Sequence, residues 1–271
     1  MKISLLVLCL FSFSAVAEDP NQYLKNFDGK IYSLKTKGVK DFVVEIESSN
    51  LTKQINDQKI FGKVKNVIFK TYWTANPERL AVEVEGLPEG FKEVKEQLKV
   101  SLMSVMDNLI PQTMAQKFAG YKFVQGKKPR EIIAQDTTGI AETPSFTLVF
   151  DAEDRLTEVI GHRPIGEFVS KPRYQKEAFA DGKWAFTGIE TVSSAQGQSL
   201  TLRKDVSYTK SEGMGVVKEV STSTEQKNQK GEAVAPALKE SVTFKNYKIN
   251  TGDALKYFLG ESGKEKQKIV E

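Results

Sequence analysis

The sequence predicts a mainly β (α+β) protein, in which one long helix lies across an antiparallel sheet or open barrel. The first observation is the stretch 89–118, which has the apolar periodicity of an amphipathic helix. The second is a regular series of segments in which apolar and polar residues alternate between turn residues, as in antiparallel strands. The third is that Cys9 is the only cysteine, so a packed core must hold the fold together without disulfides.

Residues 1–17 have the pattern of a secretory signal peptide. Lys2 supplies a positive charge, an apolar run follows, and Ala15-Val16-Ala17 provides the small residues of a cleavage site. We expect cleavage between Ala17 and Glu18, which removes Cys9 without lipidation. The mature protein is then expected in the periplasm or secreted.

The mature chain is predicted to form a single domain over 18–259. The formal net charge of the 271 residues is +4, and acidic and basic residues are interspersed, so no nucleic-acid partner is expected. Residues 260–271 are polar and are predicted to form a disordered tail.

The predicted elements follow the chain in a simple order. A short helix over 21–32 opens the domain, and a second short helix over 251–258 closes it. The polar stretch 224–237 is predicted to be a long mobile loop. The predicted strands are 41–51, 63–73, 80–85, 121–124, 130–135, 145–150, 155–160, 168–179, 183–192, 199–208, 215–223 and 240–249.

The long helix has one apolar stripe and one charged face. Pro111 has no N–H and ends the helix, so the helix over 91–110 should be roughly 30 Å long. Ser101 and Asp107 are among the polar residues that interrupt the apolar run, which argues against a membrane span. The stripe consists of Phe91, Val94, Leu98, Leu102, Val105, Met106, Leu109 and Ile110.

The strands predict a ligand cavity, because many carry large apolar side chains on one face only. One long helix and a shorter one can cover part of such a face, and the remainder is expected to be a cavity. The same one-sided rows include Phe146, Leu200, Leu202 and Phe244. The candidate ligand-binding residues are Phe69, Trp73, Leu98, Leu102, Met106, Leu109, Leu148, Phe150, Trp184 and Phe186.

No catalytic or metal-binding pattern stands out. His162 is the only histidine and is predicted to lie in a surface turn over 161–164. Without a second histidine or a mature cysteine, a transition-metal site has few ligands available. Ser207 and Lys210 have the S-x-x-K spacing, but no companion motif accompanies them. We therefore expect no enzyme activity, no metal and no cofactor.

The order of elements resembles a known superfamily. A signal peptide, an opening helix, the segment LKTKGVKDFVVEIESS, two more strands, a long helix and then strands containing FTLVFDAEDRLTEVI are similar to the periplasmic lipoprotein carriers. That superfamily includes the outer-membrane lipoprotein-sorting carrier, its receptor and related lipid-binding proteins. The resemblance implies an unclosed antiparallel β-barrel, with helices that lid a concave apolar face holding acyl chains.

Two functions follow as hypotheses. The first is a periplasmic binding or carrier protein for a lipid, a lipoprotein or another apolar ligand, with a role in outer-membrane biogenesis. Its partners would be acyl chains and, in addition, envelope proteins or the membrane surface. The second is a non-enzymatic protein-interaction or envelope-sensing module on the same fold, whose own side chains fill the cavity. A hydrolase ranks third.

Overall fold

A computed structural model describes residues 19–59, 63–195 and 197–268 of this chain. These residues form one open, curved, twelve-stranded antiparallel sheet with five α-helices, which confirms the mainly β class. The predicted signal segment 1–17 lies outside the described residues.

The longest strands lie in the second half of the chain. The helices are Pro20–Lys30 (α1), Leu51–Asp57 (α2), Lys92–Met106 (α3), Met114–Lys117 (α4) and Asp253–Lys268 (α5). The strands are Asp41–Ser48 (β1), Ile68–Ala75 (β2), Glu78–Glu85 (β3), Tyr121–Gln125 (β4), Glu131–Asp136 (β5), Ser145–Phe150 (β6), Leu156–Arg163 (β7), Gly166–Lys176 (β8), Trp184–Ala195 (β9), Gln198–Ser211 (β10), Met214–Lys227 (β11) and Leu238–Ile249 (β12).

The strand order across the sheet is β3-β2-β1-β12-β11-β10-β9-β8-β7-β6-β5-β4. The first and last strands pair, with Phe42 opposite Ile249 and Ile46 opposite Phe244. Strands β3 and β4 are consecutive in the chain, yet they form the two edges of the sheet. The connection 86–120, which contains α3 and α4, must therefore pass from one edge of the sheet to the other.

We call the face that carries α1, α3 and α4 the inner face. Directly paired residues of neighbouring strands point to the same face of a sheet. Phe42 pairs with Trp73 and with Ile249, and all three pack in one hydrophobic core with Leu102 and Met106 of α3. The inner face is thus the apolar face that the sequence predicts to be covered by helices.

Helix α5 packs on the opposite, outer face. The ring of Tyr257 stacks on that of Tyr72 at a centroid distance of 3.9 Å, and Phe258 is buried in a cluster with Val43. The helix continues to Lys268, beyond the predicted closing helix 251–258, and includes most of the predicted tail. None of the helices in the described ranges is long and apolar enough to span a membrane.

The long helix is shorter than predicted, because it ends at Met106. The N–H groups of Leu109 and Ile110 both donate to the carbonyl oxygen of Met106 at 2.9 Å, which closes the helix with a turn. Pro111 explains this end, since a proline ring clashes with the carbonyl four residues earlier and disfavours the helical conformation of the residue before it.

Three further elements differ from the prediction. Helix α2 was not predicted, because Leu51 and Ile55 are its only large apolar residues. Strand β11 continues to Lys227, so the predicted loop 224–237 begins only after it. His162 lies within β7 and not in a turn, since it pairs with residues of β6 and β8.

A carboxylate joins the opening helix to two turns of the sheet. Asp154, in the turn between β6 and β7, accepts hydrogen bonds from Lys30 Nζ at 2.9 Å, Arg130 Nη1 at 2.8 Å and Asn26 Nδ2 at 3.2 Å. The hydrogen bond from Lys30 has the largest effect and lowers the pKa of Asp154. Asp154 therefore fixes α1 over the inner face.

We expect Asp154→Asn to lower the free energy of unfolding by about 1–2 kcal/mol at neutral pH, because an amide loses the charge-assisted hydrogen bonds. Asn tolerates the positive φ of 59° at this position. Since the pKa of Asp154 is lowered in the folded protein, its stabilisation is present above the ordinary aspartate value of 3.8 and is lost as the pH falls through the lowered pKa.

Urea unfolding at neutral pH and at about pH 3 measures this, and the difference between wild type and variant should shrink in acid. The control is Asp57→Asn, which removes an exposed i,i+4 pair with Lys53 and should leave stability nearly unchanged. An Asp154→Asn effect that is equal at both pH values would contradict the assignment.

Candidate functional site

Most of the predicted ligand-binding residues lie in one hydrophobic core beneath α3, which we call the α3 core. Trp73, Leu102 and Leu109 are 1%, 4% and 2% exposed, so they are already fully packed. The α3 core includes Phe42, Val44, Ile46, Phe69, Trp73, Leu102, Met106, Leu109, Val206, Val220 and Phe244, with Leu98 and Phe186 packed against it.

Two of the predicted residues belong to a second core, beneath α1, which we call the α1 core. Phe150 is stacked on Tyr23 at 6.0 Å between ring centroids and meets the edge of Phe27 at 6.1 Å. The α1 core consists of Tyr23, Leu24, Phe27, Met114, Ile132, Leu148, Phe150 and Leu156. Helix α1 thus occupies the part of the inner face to which Leu148 and Phe150 belong.

Trp184 lies in neither core. Its carbonyl oxygen accepts a hydrogen bond from the N–H of Tyr32, which ties the segment after α1 to the start of β9. Its half-buried ring is flanked by the Arg155 guanidinium at 4.5 Å and the Lys176 ammonium at 4.6 Å from the ring centroid. The ten predicted residues are therefore not brought together around one cavity.

Leu109 borders a small cavity of about 20 Å³, next to Tyr208 and Val217. That volume suffices for about one water molecule and not for an acyl chain. In the arrangement that the structure shows, the space beneath α3 is occupied by the protein's own side chains.

Between the two cores, the inner face of the four central strands β8–β11 forms what we call the open strip. Three successive rows of paired residues define it. They are Phe168, Ser193, Leu200 and Gln226; Ser170, Thr191, Leu202 and Thr224; and Pro172, Ile189, Lys204 and Thr222. Val206, two residues beyond Lys204, already belongs to the α3 core, and Val159, which pairs with Ser170, packs against the α1 core.

The open strip exposes apolar side chains that no helix covers. Phe168, Ile189, Leu200 and Leu202 are half-buried or exposed, and they belong to neither core. Leu200 is 41% exposed. Neighbouring apolar side chains without a cover provide a surface on which an apolar group can be buried.

Hydroxyl groups lie among these apolar side chains. The Ser170 and Thr191 hydroxyls are hydrogen-bonded at 2.8 Å, and Arg163 Nη2 donates to Ser193 Oγ at 3.2 Å. The Arg163 guanidinium also lies 4.7 Å from the ring centroid of Phe168. The strip can therefore bind an apolar chain and can also satisfy a few polar groups.

Lys204 is the only charged residue of the open strip. Burial lowers the pKa of its ammonium, Asp107 at the end of α3 acts in the opposite direction, and Lys117 at the end of α4 adds to the lowering. Within the described part of the chain, the Lys204 ammonium forms no hydrogen bond or ion pair, although the Lys204 carbonyl oxygen accepts a hydrogen bond from Arg173 Nη2 at 3.2 Å. A partly desolvated ammonium without a close partner is suited to an anionic or hydrogen-bond-accepting ligand group.

The remaining chemistry on the described residues is sparse. His162 is outside the strip: its Nε2 is 3.0 Å from Thr147 Oγ1 and its Nδ1 is 2.7 Å from Glu167 Oε1. In the described ranges, no three His, Cys, Asp or Glu side chains are grouped so as to hold a metal ion.

Comparison with protein-family models, curated proteins and solved structures finds no significant match to this chain. The sheet and the open strip alone therefore define the class, an open antiparallel sheet that carries helices and an uncovered apolar strip on one face. No family match supports the resemblance to the periplasmic lipoprotein carriers, and what the structure shows is the open antiparallel sheet with flanking helices.

The sequence placed Leu200 and Leu202 on an apolar face, but it did not include them, Phe168 or Lys204 among the site residues. Alternation shows which side chains share a face, whereas the positions of the helices decide which part of that face stays open. No signal in the sequence distinguishes Leu202 from a buried residue such as Leu148.

The packing beneath α3 generates a prediction about stability. Leu102→Ala should lower the free energy of unfolding by about 2–5 kcal/mol, because Leu102 is 4% exposed within a filled core. Val100, 73% exposed on the same helix, is the matched control, and Val100→Ala should change stability by less than about 0.5 kcal/mol. Chemical denaturation measures both. Equal and small effects would show that α3 does not pack on the sheet in solution.

Proposed function

We propose that this protein binds and carries a lipid, a lipoprotein or another apolar ligand on the inner face of its open sheet, with the open strip as the first binding surface. The observation that carries this proposal is that Phe168, Ile189, Leu200 and Leu202 lie side by side between two helix-covered cores, yet no helix covers them. The work of the protein is then binding and not catalysis, and it needs no cofactor.

The size of the strip favours a chain-shaped ligand. Four strands and three rows span roughly 14 Å in each direction, given the usual strand and residue spacings. The resulting area of roughly 200 Å² is far below the roughly 800 Å² per partner of a stable protein interface. A single acyl chain or a comparable apolar group fits this area better than a folded partner does.

Lys204 would determine which end of a bound ligand lies at which end of the strip. We place the apolar chain on Leu200, Leu202 and Phe168, with an anionic head group such as a carboxylate or phosphate next to Lys204. Thr222 pairs with Lys204 in the same row of the strip, so its hydroxyl can donate a hydrogen bond to the same group.

Helix α3 can enlarge the site for a ligand with more than one chain. Its C-terminal half is anchored by Leu102 and Met106, whereas Val94 and Leu98 in its N-terminal half stay half-exposed. Displacement of α3 would add the apolar residues of the α3 core to the strip. The predicted ligand-binding residues on β2 and α3 would then become part of the same surface.

The alternative is a non-enzymatic interaction or envelope-sensing module, and the filled cores favour it. Purification from the native envelope followed by organic extraction and mass spectrometry separates the two functions. A stoichiometric lipid supports the carrier, whereas a protein that carries none and takes up no apolar dye supports the module. The carrier function is proposed for the periplasm, with acyl chains and the membrane surface as partners.

The strip itself can be tested with a matched pair of substitutions on one strand. Leu202→Asn should weaken the binding of an apolar fluorescent dye about tenfold, because it replaces a large apolar contact with an amide. Thr201→Asn changes the next residue, which points to the outer face, and should leave dye binding unchanged. Fluorescence titration measures both. If both variants bind the dye with the same affinity, the dye does not bind to the open strip.

The assigned role of Lys204 can be tested with a fatty acid and its methyl ester. Lys204→Met keeps the aliphatic stem and should weaken binding of the carboxylate about tenfold, without effect on the ester. Because the pKa of Lys204 is lowered, wild-type affinity for the carboxylate should decline at a less alkaline pH than for an ordinary lysine. Isothermal titration measures these affinities. The same loss for acid and ester would contradict a charge-specific role.

A further inference from the structure

The two edge strands of the sheet differ in how well they are protected from pairing with another strand. Strand β4 has five residues and carries Lys122, and the N–H of Tyr121 donates to the carbonyl oxygen of Phe118 at 3.0 Å. Strand β3 has eight residues, contains neither lysine nor proline, and pairs with β2 without a bulge. Short length, lysine, proline and bulges are among the features that protect an edge strand. The less protected edge is therefore β3.

The hydrogen bonds of β2 show which backbone groups of β3 point away from the sheet. The N–H of Ala75 donates at 2.8 Å to the carbonyl oxygen of the residue before β1, so Ala75 bonds toward β1. Because hydrogen-bonded pairs alternate along a strand, Tyr72, three residues earlier, bonds toward β3 through its partner Ala81. The N–H and C=O groups of Leu80 and Val82, on either side of Ala81, therefore point outward.

These outward groups are free within the part of the chain that the structure describes. Among those residues, no backbone hydrogen bond reaches β3 except through its pairing with β2. Leu80 and Val82 are also half-exposed. A row of unpaired N–H and C=O groups on an edge strand is a template for one more strand.

Helix α3 determines which kind of strand fits this edge. It follows β3 after the connection 86–91 and packs directly on β3. If β3 paired with β3 of a second copy about a two-fold axis, the two α3 helices would be roughly one strand spacing apart, about 5 Å. Packed helices need about 8–10 Å between their axes. The edge therefore fits an extended peptide without a helix of its own better than it fits a second copy.

The inner side of this edge favours apolar side chains. Leu80 and Val82 pack against the α3 core and keep part of their surface exposed, and so do Val94 and Leu98 in the first half of α3. Directly paired residues share a face, so a residue that pairs with Val82 would lie on the side of α3. An apolar side chain at that position would remove exposed apolar surface from water.

The outer side of the same edge favours basic side chains. Side chains alternate along a strand, so Glu83 and Glu85 point to the outer face together with Arg79. Glu85 lies 4.0 Å from Lys70, whereas Glu83 has no ion pair among the described residues. The Tyr72 hydroxyl donates to Glu83 at 3.3 Å. A lysine or arginine between the apolar residues of an added strand would face Glu83 across the edge.

We propose that β3 binds an extended peptide segment of another protein as an additional strand, in which apolar residues toward α3 alternate with basic residues toward Glu83. Two hydrogen-bonded pairs, at Leu80 and Val82, would provide about four backbone hydrogen bonds. Strands β2, β1 and β12 lie between this edge and the open strip. The proposal therefore does not depend on the proposed function.

The probe is a fluorescently labelled peptide of about six residues in which valine and lysine alternate, and fluorescence anisotropy measures its binding. Two N-methylated forms of it are a matched pair. Methyl groups on the valine amides block the N–H groups that pair with Leu80 and Val82, so they should weaken binding at least about tenfold. Methyl groups on the lysine amides point away from β3 and should leave the affinity unchanged. A peptide with glutamate in place of lysine should also bind at least about tenfold more weakly.

Substitutions test the same contact from the side of the protein. Val82→Pro removes an outward N–H and should abolish peptide binding, and an edge strand tolerates proline where its N–H faces solvent. A thermal melt checks that this variant is folded. Glu83→Gln keeps an acceptor for the Tyr72 hydroxyl and should weaken binding about threefold. Glu225→Gln, on the outer face of β11, is the matched control and should bind like wild type.

Failure of the unmethylated peptide to bind, or equal affinities of the two methylated peptides, would overturn the proposal. A wild-type dimer in sedimentation analysis that Val82→Pro dissociates would also overturn it, because the edge would then pair with a second copy. If Val82→Pro does not fold, the two methylated peptides decide the matter. Dye binding in the open strip reports on the proposed function independently of these results.

Discussion

One topological constraint organises this protein: β3 and β4 follow one another in the chain but form the two edges of the sheet. The connection between them has to cross a face of the sheet, and an apolar face can be crossed favourably only by a segment that is itself apolar on one side. The stripe of α3 meets that requirement, and Pro111 ends the helix so that the chain can turn toward β4. The pairing of β1 with β12 makes the crossing necessary, because it places the N-terminal strands beside the C-terminal one.

The two cores follow from this crossing. Helix α3 covers the inner face near β1–β3, and α1 with α4 covers it near β5–β7, where Asp154 fixes α1. Neither cover reaches the inner face of β8–β11 near Leu202, so that part remains open. The hydroxyls of Ser170 and Thr191 are hydrogen-bonded to each other there, so neither hydroxyl lacks a partner on this partly exposed apolar surface.

The same arrangement gives the open strip a polarity. At one end, Lys204 lies near the ends of α3 and α4, where burial makes its charge costly unless an anionic group approaches. At the other end, Phe168 and Leu200 lie next to turns that present aliphatic side chains to solvent. An amphiphile bound with its head group at Lys204 would have its chain directed toward Phe168 and Leu200.

The sequence by itself determined the class of fold, since alternation identified the strands and the periodicity around Leu102 identified the crossing helix. Both signals are local, and they depend on which side chains share a face of one element. The sequence could not determine that Leu148 is buried beneath α1 whereas Leu202 is not, because the two have the same local pattern and differ only in whether a helix lies above them. Strand order decided that difference. The pairing of β1 with β12 joins residues about two hundred positions apart, and only this long-range contact fixes where the helices lie and which residues stay open.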